Sequence, residues 1–431
     1  MLRSEKPFVI NSDNVISFAL VIFYLVISRN GDLSGNVLLS LSLYGFVFLA
    51  LILGGSMRRN NGVRNEKLLW LFTLIPFFYS SPIWLDAVLF AIGILIVIFV
   101  NCNTLNLTKL YKAIIFVAVI NAVCVFIQLV DKSFFDSFAQ IWYPEGMYQQ
   151  YLRTMRYESY LNGCNAIAGD TAGYLMICLG LLFCFYLTHR GVKGKSNLLL
   201  FILCFAALGL TGKRAILLCG IISGLIIYII SGRASKRFRR FFFAVIIVLI
   251  LIRSITFIAE LFPSANTIVR VAESIEGLIY GNDISSGRSR LYGYALIQFR
   301  SAPILGIGWK HFNQLTTTLY SYNAAHYVNN DYLQVLCETG IVGVVCIYIP
   351  MFIFLIKTIR IYSRVQKNEI QGDLKLALAF SLFVQLMYLL YSIFEIPLYD
   401  RAFFFMYILS VVIGYSALNG IEGVSQQEVY P

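Results

Sequence analysis

Residues 284–344 read ISSGRSRLYGYALIQFRSAPILGIGWKHFNQLTTTLYSYNAAHYVNNDYLQVLCETGIVGV. In a chain that is otherwise mostly apolar, this stretch gathers Arg288, Arg290, Arg300, Lys310, His311, His326, Asn329, Asn330, Asp331 and Glu338. Two of the three histidines lie inside it. It begins as a basic loop and ends by running into an apolar helix, the place where a membrane protein would keep polar chemistry.

What flanks it decides the fold class. Of the 431 residues, 59% are hydrophobic and 13% charged, against about a quarter charged in a soluble domain. Many apolar runs reach or approach the roughly 20 residues that cross about 30 Å of hydrocarbon as helix. Twelve spans are expected, at 15–27, 37–53, 68–79, 83–100, 110–130, 171–187, 198–210, 216–230, 242–258, 341–356, 376–396 and 403–417. The third is short, with Pro76 inside it and Pro82 close behind, so it is expected to be tilted or broken. The first follows Arg3 and Lys6 without a small-residue cleavage site and reads as a retained span. The expectation is an all-α polytopic protein, residues 1–431 forming one integral membrane domain.

Lysine and arginine set the orientation. Counting alternate connections, one side holds Arg3 and Lys6, then Arg58, Arg59, Arg64 and Lys67, then Lys109 and Lys112. The same side holds Arg190, Lys193 and Lys195, the run from Arg233 to Arg240, and five cations between Lys357 and Lys375. By the positive-inside rule this side is cytoplasmic, and both termini lie there. The Arg233–Arg240 run and the net charge of +12 are then topology determinants beside anionic lipid, and no nucleic-acid partner is expected. No GxGxxG or GxxxxGK[ST] loop occurs on the cytoplasmic side, which excludes a nucleotide-driven pump of that kind.

Two outer connections are long: residues 131–170 and, between spans nine and ten, the larger loop 260–340. Loops of this size are often functional. They retain Arg153, Arg156, Arg270, Arg288, Arg290, Arg300 and Lys310 against the topology bias, and the short turn LTGKRAILL adds Lys213 and Arg214. Guanidinium groups grip phosphates bidentately. Converging, Arg156, Lys213, Arg214, Arg288 and Arg290 would form a polyanion pocket at the membrane surface. For any one of them alone, a solvated or snorkelling side chain is an equal reading.

The pattern SGRSRLYGYAL…APILGIGW followed by NNDYLQVLCETGIVGVV resembles the signature of the O-antigen ligase/polymerase family. Arg288 and Tyr292 match its first part, Pro303, Gly306 and Gly308 its second, and Asn330, Leu333, Glu338 and Gly340 its third. The TGKRAILL turn is similar to one bearing a functional Arg in that family, here Arg214. The chain departs from the pattern just before Asn330, where Asn329 stands in place of a His; the nearest imidazole is His326.

The resemblance implies a polytopic glycosyltransferase of the bacterial inner membrane that takes glycan from a polyprenyl diphosphate carrier at the periplasmic face, with no nucleotide sugar. It further implies surface-polysaccharide (lipopolysaccharide) polymerisation from undecaprenyl-diphosphate-linked repeat units, and a separate chain-length regulator as a possible partner. Arg288, His326 and Glu338 are the expected catalytic residues; Arg156, Lys213, Arg214 and Arg290 the diphosphate-binding ones. His326 is the first candidate for general base, with Glu338, Asp170 and Glu158 behind it. For Glu338, a structural cap or ion pair is an equal reading. Transfer of polymer to lipid A core by a ligase of the same fold is the alternative. A lipid-linked oligosaccharide flippase is the alternative of another class, but it should keep its charges inside helices along a cavity. No cofactor or metal is expected. The nine cysteines are scattered without metal or redox spacing and read as small packing residues. The aromatic run 142–160 reads as an interfacial belt or, less favoured, a sugar-stacking surface.

Overall fold

A computed structural model describes residues 65–80, 84–99, 107–143, 145–157, 160–188, 195–232, 234–262, 266–280, 288–320, 326–366 and 372–427, together with Val21. Apart from Val21, the first two expected spans, 15–27 and 37–53, lie outside the described residues, as does Glu158. Among the described residues the protein is helical throughout, without a strand.

In chain order the elements are α1 (Asn65–Leu68), a 3-10 stretch (Leu69–Leu74), α2 (Ile75–Tyr79), α3 (Trp84–Phe99) and α4 (Leu107–Val130). Then come α5 (Lys132–Trp142), α6 (Glu145–Tyr157), α7 (Ala168–Leu187), α8 (Lys195–Leu210), α9 (Arg214–Ile230) and α10 (Ala234–Leu261). The chain closes with α11 (Asn266–Tyr280), α12 (Ser289–Ser301), α13 (His311–Thr318), α14 (Asp331–Val365), α15 (Gly372–Tyr391) and α16 (Arg401–Gln427).

Six of these helices are long and apolar enough to cross a membrane: Leu107–Val130, Ala168–Leu187, Lys236–Leu261, Asp331–Val365, Gly372–Tyr391 and Arg401–Ile421. Asp86–Phe99, Ser196–Leu210 and Arg214–Ile230 are apolar but shorter. α15 and α16 are the most buried and form the centre, while Phe241, Phe242, Ile246, Leu249 and Ile250 of α10 are exposed, as lipid-facing side chains would be. Glycines let α7 approach that centre closely. A Cβ on Gly173 would lie 2.4 Å from the Phe403 ring, and one on Gly180 2.0 Å from Phe383, the small-residue contact that membrane helices use.

The third span is broken, as its prolines lead one to expect, into a single turn, a 3-10 stretch and a second short helix, with Pro76 in the first turn of α2. Two expectations change. The tenth begins at Asp331 instead of 341, because Asn330 caps it by accepting from Leu333 N–H at 3.0 Å. The two long connections are not irregular: α5 and α6 occupy the first, and α11, α12 and α13 the second.

α14 is broken inside. Gly340 has φ 66 and ψ −169, a left-handed φ open to glycine. The chain from Pro303 to Gly308 lies against this break and completes its hydrogen bonding. Ile307 N–H donates to Cys337 O at 3.0 Å and Gly308 N–H to Glu338 O at 2.8 Å. Ile341 N–H donates to Pro303 O at 2.9 Å and Val342 N–H to Ile304 O at 3.2 Å. The Tyr79 hydroxyl takes Thr339 O at 2.7 Å. Backbone groups freed inside a membrane protein must be satisfied by protein, and this element supplies the partners.

Candidate active site

The site grows from the turn between α8 and α9. Gly212, at φ 75, brings its backbone so close to Tyr160 that a Cβ would lie 2.2 Å from the ring. The same ring carries two cations: Lys213 Nζ and the Arg270 guanidinium each stand 5.2 Å from its centroid. Arg270 also donates to the Tyr160 hydroxyl and, at 3.1 Å, to Gly212 O. α11 presents Arg270 and Ser274 one turn apart, and Arg214 donates to Ser274 Oγ at 2.6 Å. Arg214 is within electrostatic reach of Arg288. Arg288 forms an ion pair with Glu395 at 2.7 Å and donates to Phe394 O.

Beside these cations lies a carboxyl pair. Asp170, in the first turn of α7, and Asp400, just before α16, are hydrogen-bonded side chain to side chain. Asp400 caps α16, its Oδ1 accepting from Ala402 N–H at 2.9 Å and Phe403 N–H at 3.2 Å. A hydrogen bond between two carboxyl groups requires that at least one of them be protonated. Burial holds Asp400 above the ordinary carboxylate range. Asp170 Oδ1 is buried with no hydrogen-bond partner among the described residues, and Lys213 acts on Asp170 electrostatically. Tyr391 is within electrostatic reach of Asp170, Asp400, Glu395 and Arg288.

Glu338 occupies a different setting. It is fully buried and accepts from Lys310 N–H at 2.8 Å, Phe312 N–H at 3.3 Å, the Gln334 amide at 2.6 Å and the Tyr399 hydroxyl at 2.7 Å. Two of those donors are at the N-terminus of α13, so the carboxylate caps that helix from outside it. Trp309 stacks on Tyr399 with centroids 4.4 Å apart and 15° between planes. Lys310 is neutralised by Asp86 at 2.7 Å.

Of the residues expected from sequence, Lys213, Arg214 and Arg288 are thus brought together, joined by Arg270. Arg290 is exposed and makes no hydrogen bond or ion pair among the described contacts. The side chain of Arg156 lies outside the described part of the structure. His326 is half-buried, and its main-chain N–H donates to Thr316 Oγ1 at 2.9 Å. Asn329 sits at φ 54, a left-handed conformation that asparagine tolerates. Among the described residues no three His, Cys, Asp or Glu side chains gather as a metal would need.

Sequence reading missed Asp400, Glu395, Tyr391 and the seat at Tyr160. The available signal for Asp400 was an ionisable residue at the mouth of an apolar span. Tyr143 and Tyr151, expected at an interface, are buried, and the Tyr160 ring carries Lys213 and Arg270.

The two ends of the bundle hold different cations. α9 is 17 residues long, about 25 Å of rise. Arg214 stands at its start, while Arg240 donates to Ser231 and Tyr228 at its end. Against this geometry, residues 199–348 match the model of a family described as O-antigen ligase. That segment belongs to the O-antigen ligase family. No curated protein matches the chain. The O-antigen ligase segment runs from α8 into α14 and so contains Lys213, Arg214, Arg270 and Arg288 as well as the break at Gly340. Asp170 and Asp400 lie outside it. The match carries an O-antigen ligase/polymerase type of function and does not separate the two.

Proposed function

We propose that the chain is a polymerase of surface polysaccharide, moving glycan from undecaprenyl diphosphate onto the terminal sugar of another lipid-linked repeat unit at the periplasmic face. One observation carries this reading: Lys213, Arg214, Arg270 and Arg288 gather at one end of the bundle beside the Asp170–Asp400 carboxyl pair. Cations in that arrangement suit a diphosphate, and the pair suits a hydroxyl proton.

In the reaction an acceptor hydroxyl oxygen attacks the anomeric carbon, and the bond from that carbon to the diphosphate oxygen breaks. The leaving diphosphate takes the electron pair, and the arginines and Lys213 stabilise the charge as it develops. One pre-positioned donor of this kind is worth on the order of 10²–10³ in rate. The hydroxyl proton passes to the Asp170–Asp400 pair, which has room for it when one of the two carboxyls is ionised; His326 is the second candidate. Glu338, surrounded by donors, positions the 303–312 segment.

An apolar cleft of about 470 Å³, lined among others by Met176, Phe183, Phe201, Leu217, Tyr228 and Phe383, runs beside the same α9 that presents Arg214. It offers a place for the prenyl chain when the headgroup is at the arginines. Asn329, where the resemblance leads one to expect a His, has no basic side chain, which favours polymerase over ligase.

Gel analysis of lipopolysaccharide in a strain lacking the protein tests this. Core carrying a single repeat unit supports the polymerase; bare core with accumulated carrier-linked polymer identifies a ligase.

A further inference from the structure

The sulfurs of Cys124 and Cys164 stand 3.0 Å apart although the residues are 40 positions apart in sequence. Cys124 lies near the end of α4, and Cys164 in the irregular segment between α6 and α7. Both are thiols in the structure, Cys164 buried and Cys124 half-buried. A disulfide needs about 2.05 Å between sulfurs, so closing the pair takes about one ångström of side-chain movement. We infer that Cys124 and Cys164 form a disulfide in the mature protein and that it staples the 160–167 segment to α4.

The segment is already fixed in the register a disulfide requires. Gly163 is held at both ends by the Gln128 side chain, its N–H donating at 2.8 Å and its O accepting at 2.8 Å. Asn165 donates to Asn121 Oδ1 at 2.8 Å, and the Tyr143 hydroxyl takes Cys164 O at 2.8 Å. With the backbone on either side of Cys164 pinned to α4, its thiol has little room to turn away from Cys124.

This pair differs from Cys178 and Cys204, which are hydrogen-bonded to each other but both lie within the apolar helices α7 and α8, in that Cys164 belongs to the irregular segment before α7. Cys124 and Cys164 lie toward the end of α4 opposite Lys109 and Lys112. The inference rests on the proposed orientation, which puts that end in the compartment where disulfides form and persist. The oxidant is a protein disulfide of the thiol-oxidoreductase class. The Cys124 thiolate attacks it and releases one of its thiolates; the Cys164 thiolate then attacks the mixed disulfide and releases the other. The two electrons and two protons end on the oxidant's dithiol.

The consequence reaches the candidate active site. The stapled segment begins with Tyr160, which seats Lys213 and Arg270, and leads into Asp170. The disulfide is therefore a positioning device for both halves of the site.

The test takes full-length protein from cells whose free thiols were alkylated before lysis and maps cysteines by peptide mass spectrometry, with and without reductant. The expected result is a linked peptide containing Cys124 and Cys164 that separates on reduction. Both cysteines alkylated without reductant, while a fusion reporter places residues 131–170 outside, overturns the disulfide and leaves the orientation standing. A reporter placing that loop inside, with both thiols alkylated, overturns both. The Cys124→Ser/Cys164→Ser double variant should melt several degrees lower and lose the wild type's sensitivity to reductant. A wild-type melting temperature indifferent to reductant contradicts the staple.

Discussion

Asp170 and Asp400 meet carboxyl to carboxyl across the ends of α7 and α16, beside the turn that carries the adjacent cations Lys213 and Arg214. Burial raises the affinity of Asp400 for a proton above that of a free aspartate in water. Asp170→Asn is expected to lower polymer formation by about 10²–10⁴-fold, measured as glycan extension per unit of membrane protein. Asp400→Asn should do the same while keeping the cap on Ala402 and Phe403, whereas Asp400→Ala should also cost about 1 kcal/mol of stability.

The same pair sets a pH dependence. The base must be ionised beyond its shared proton, so turnover falls as pH drops. With Asp400 held up by burial, the acid limb should lie above the ordinary value of about 3.9. For stability the sign is reversed. A carboxyl whose folded pKa is raised binds more protons when folded, so its contribution is complete below the unfolded pKa and is lost as pH rises through the folded one. Thermal melts across pH should show this slope in the wild type, and the Asp170→Asn/Asp400→Asn variant should flatten it.

Arg214→Ala and Arg288→Ala should each abolish polymer without removing the protein from the membrane. Arg288→Lys should recover little, because one ammonium cannot reproduce a fork that holds Phe394 O and Glu395 together. Immunoblots of membranes beside lipopolysaccharide gels separate loss of activity from loss of protein.

Glu338→Gln distinguishes positioning from proton transfer. Four donors point at the carboxylate, and an amide would turn its own N–H groups toward two of them. A loss of about 1–3 kcal/mol is expected, seen as a lower melting temperature in detergent. Unchanged melting with turnover lost would make Glu338 a proton carrier instead.

Gly306 and Gly340 should tolerate no side chain. A Cβ on Gly306 would lie 2.3 Å from the carbonyl carbon of Glu338, and one on Gly340 2.2 Å from Ile304 O, with φ at 73 and 66. Alanine at either should unfold the junction, whereas Gly293→Ala, on an open face of α12, should be neutral or stabilising by up to about 1 kcal/mol. Comparative melts of the three variants check this.

Much of the architecture was legible from hydropathy, because apolar runs of spanning length have few other uses. The α7 and α9 boundaries fell within about three residues of expectation. What periodicity could not show was the start of α14, where ten polar and mixed residues before the apolar run are still helical because Asn330 caps them and residues 392–398 bind their first turn. The motif APILGIG was visible as letters, but its reason, completing a broken helix at Gly340, needs three dimensions. The site was legible in part for a similar cause. Arginines on the positive-poor side stand out, whereas the partners of Asp400 and Glu395 appear only when the fold carries them to Asp170 and Arg288. The Cys124–Cys164 contact, 40 residues apart, has no spacing signature at all.

The most direct measurement reconstitutes the full-length protein in vesicles with undecaprenyl-diphosphate-linked repeat units and no nucleotide sugar, then follows product by gel and mass spectrometry. The account predicts a ladder of longer carrier-linked glycans with one undecaprenyl diphosphate released per unit added, lost in Arg214→Ala and Arg288→Ala. Repeat units that stay single with the wild type, or a ladder undiminished in both variants, would contradict it.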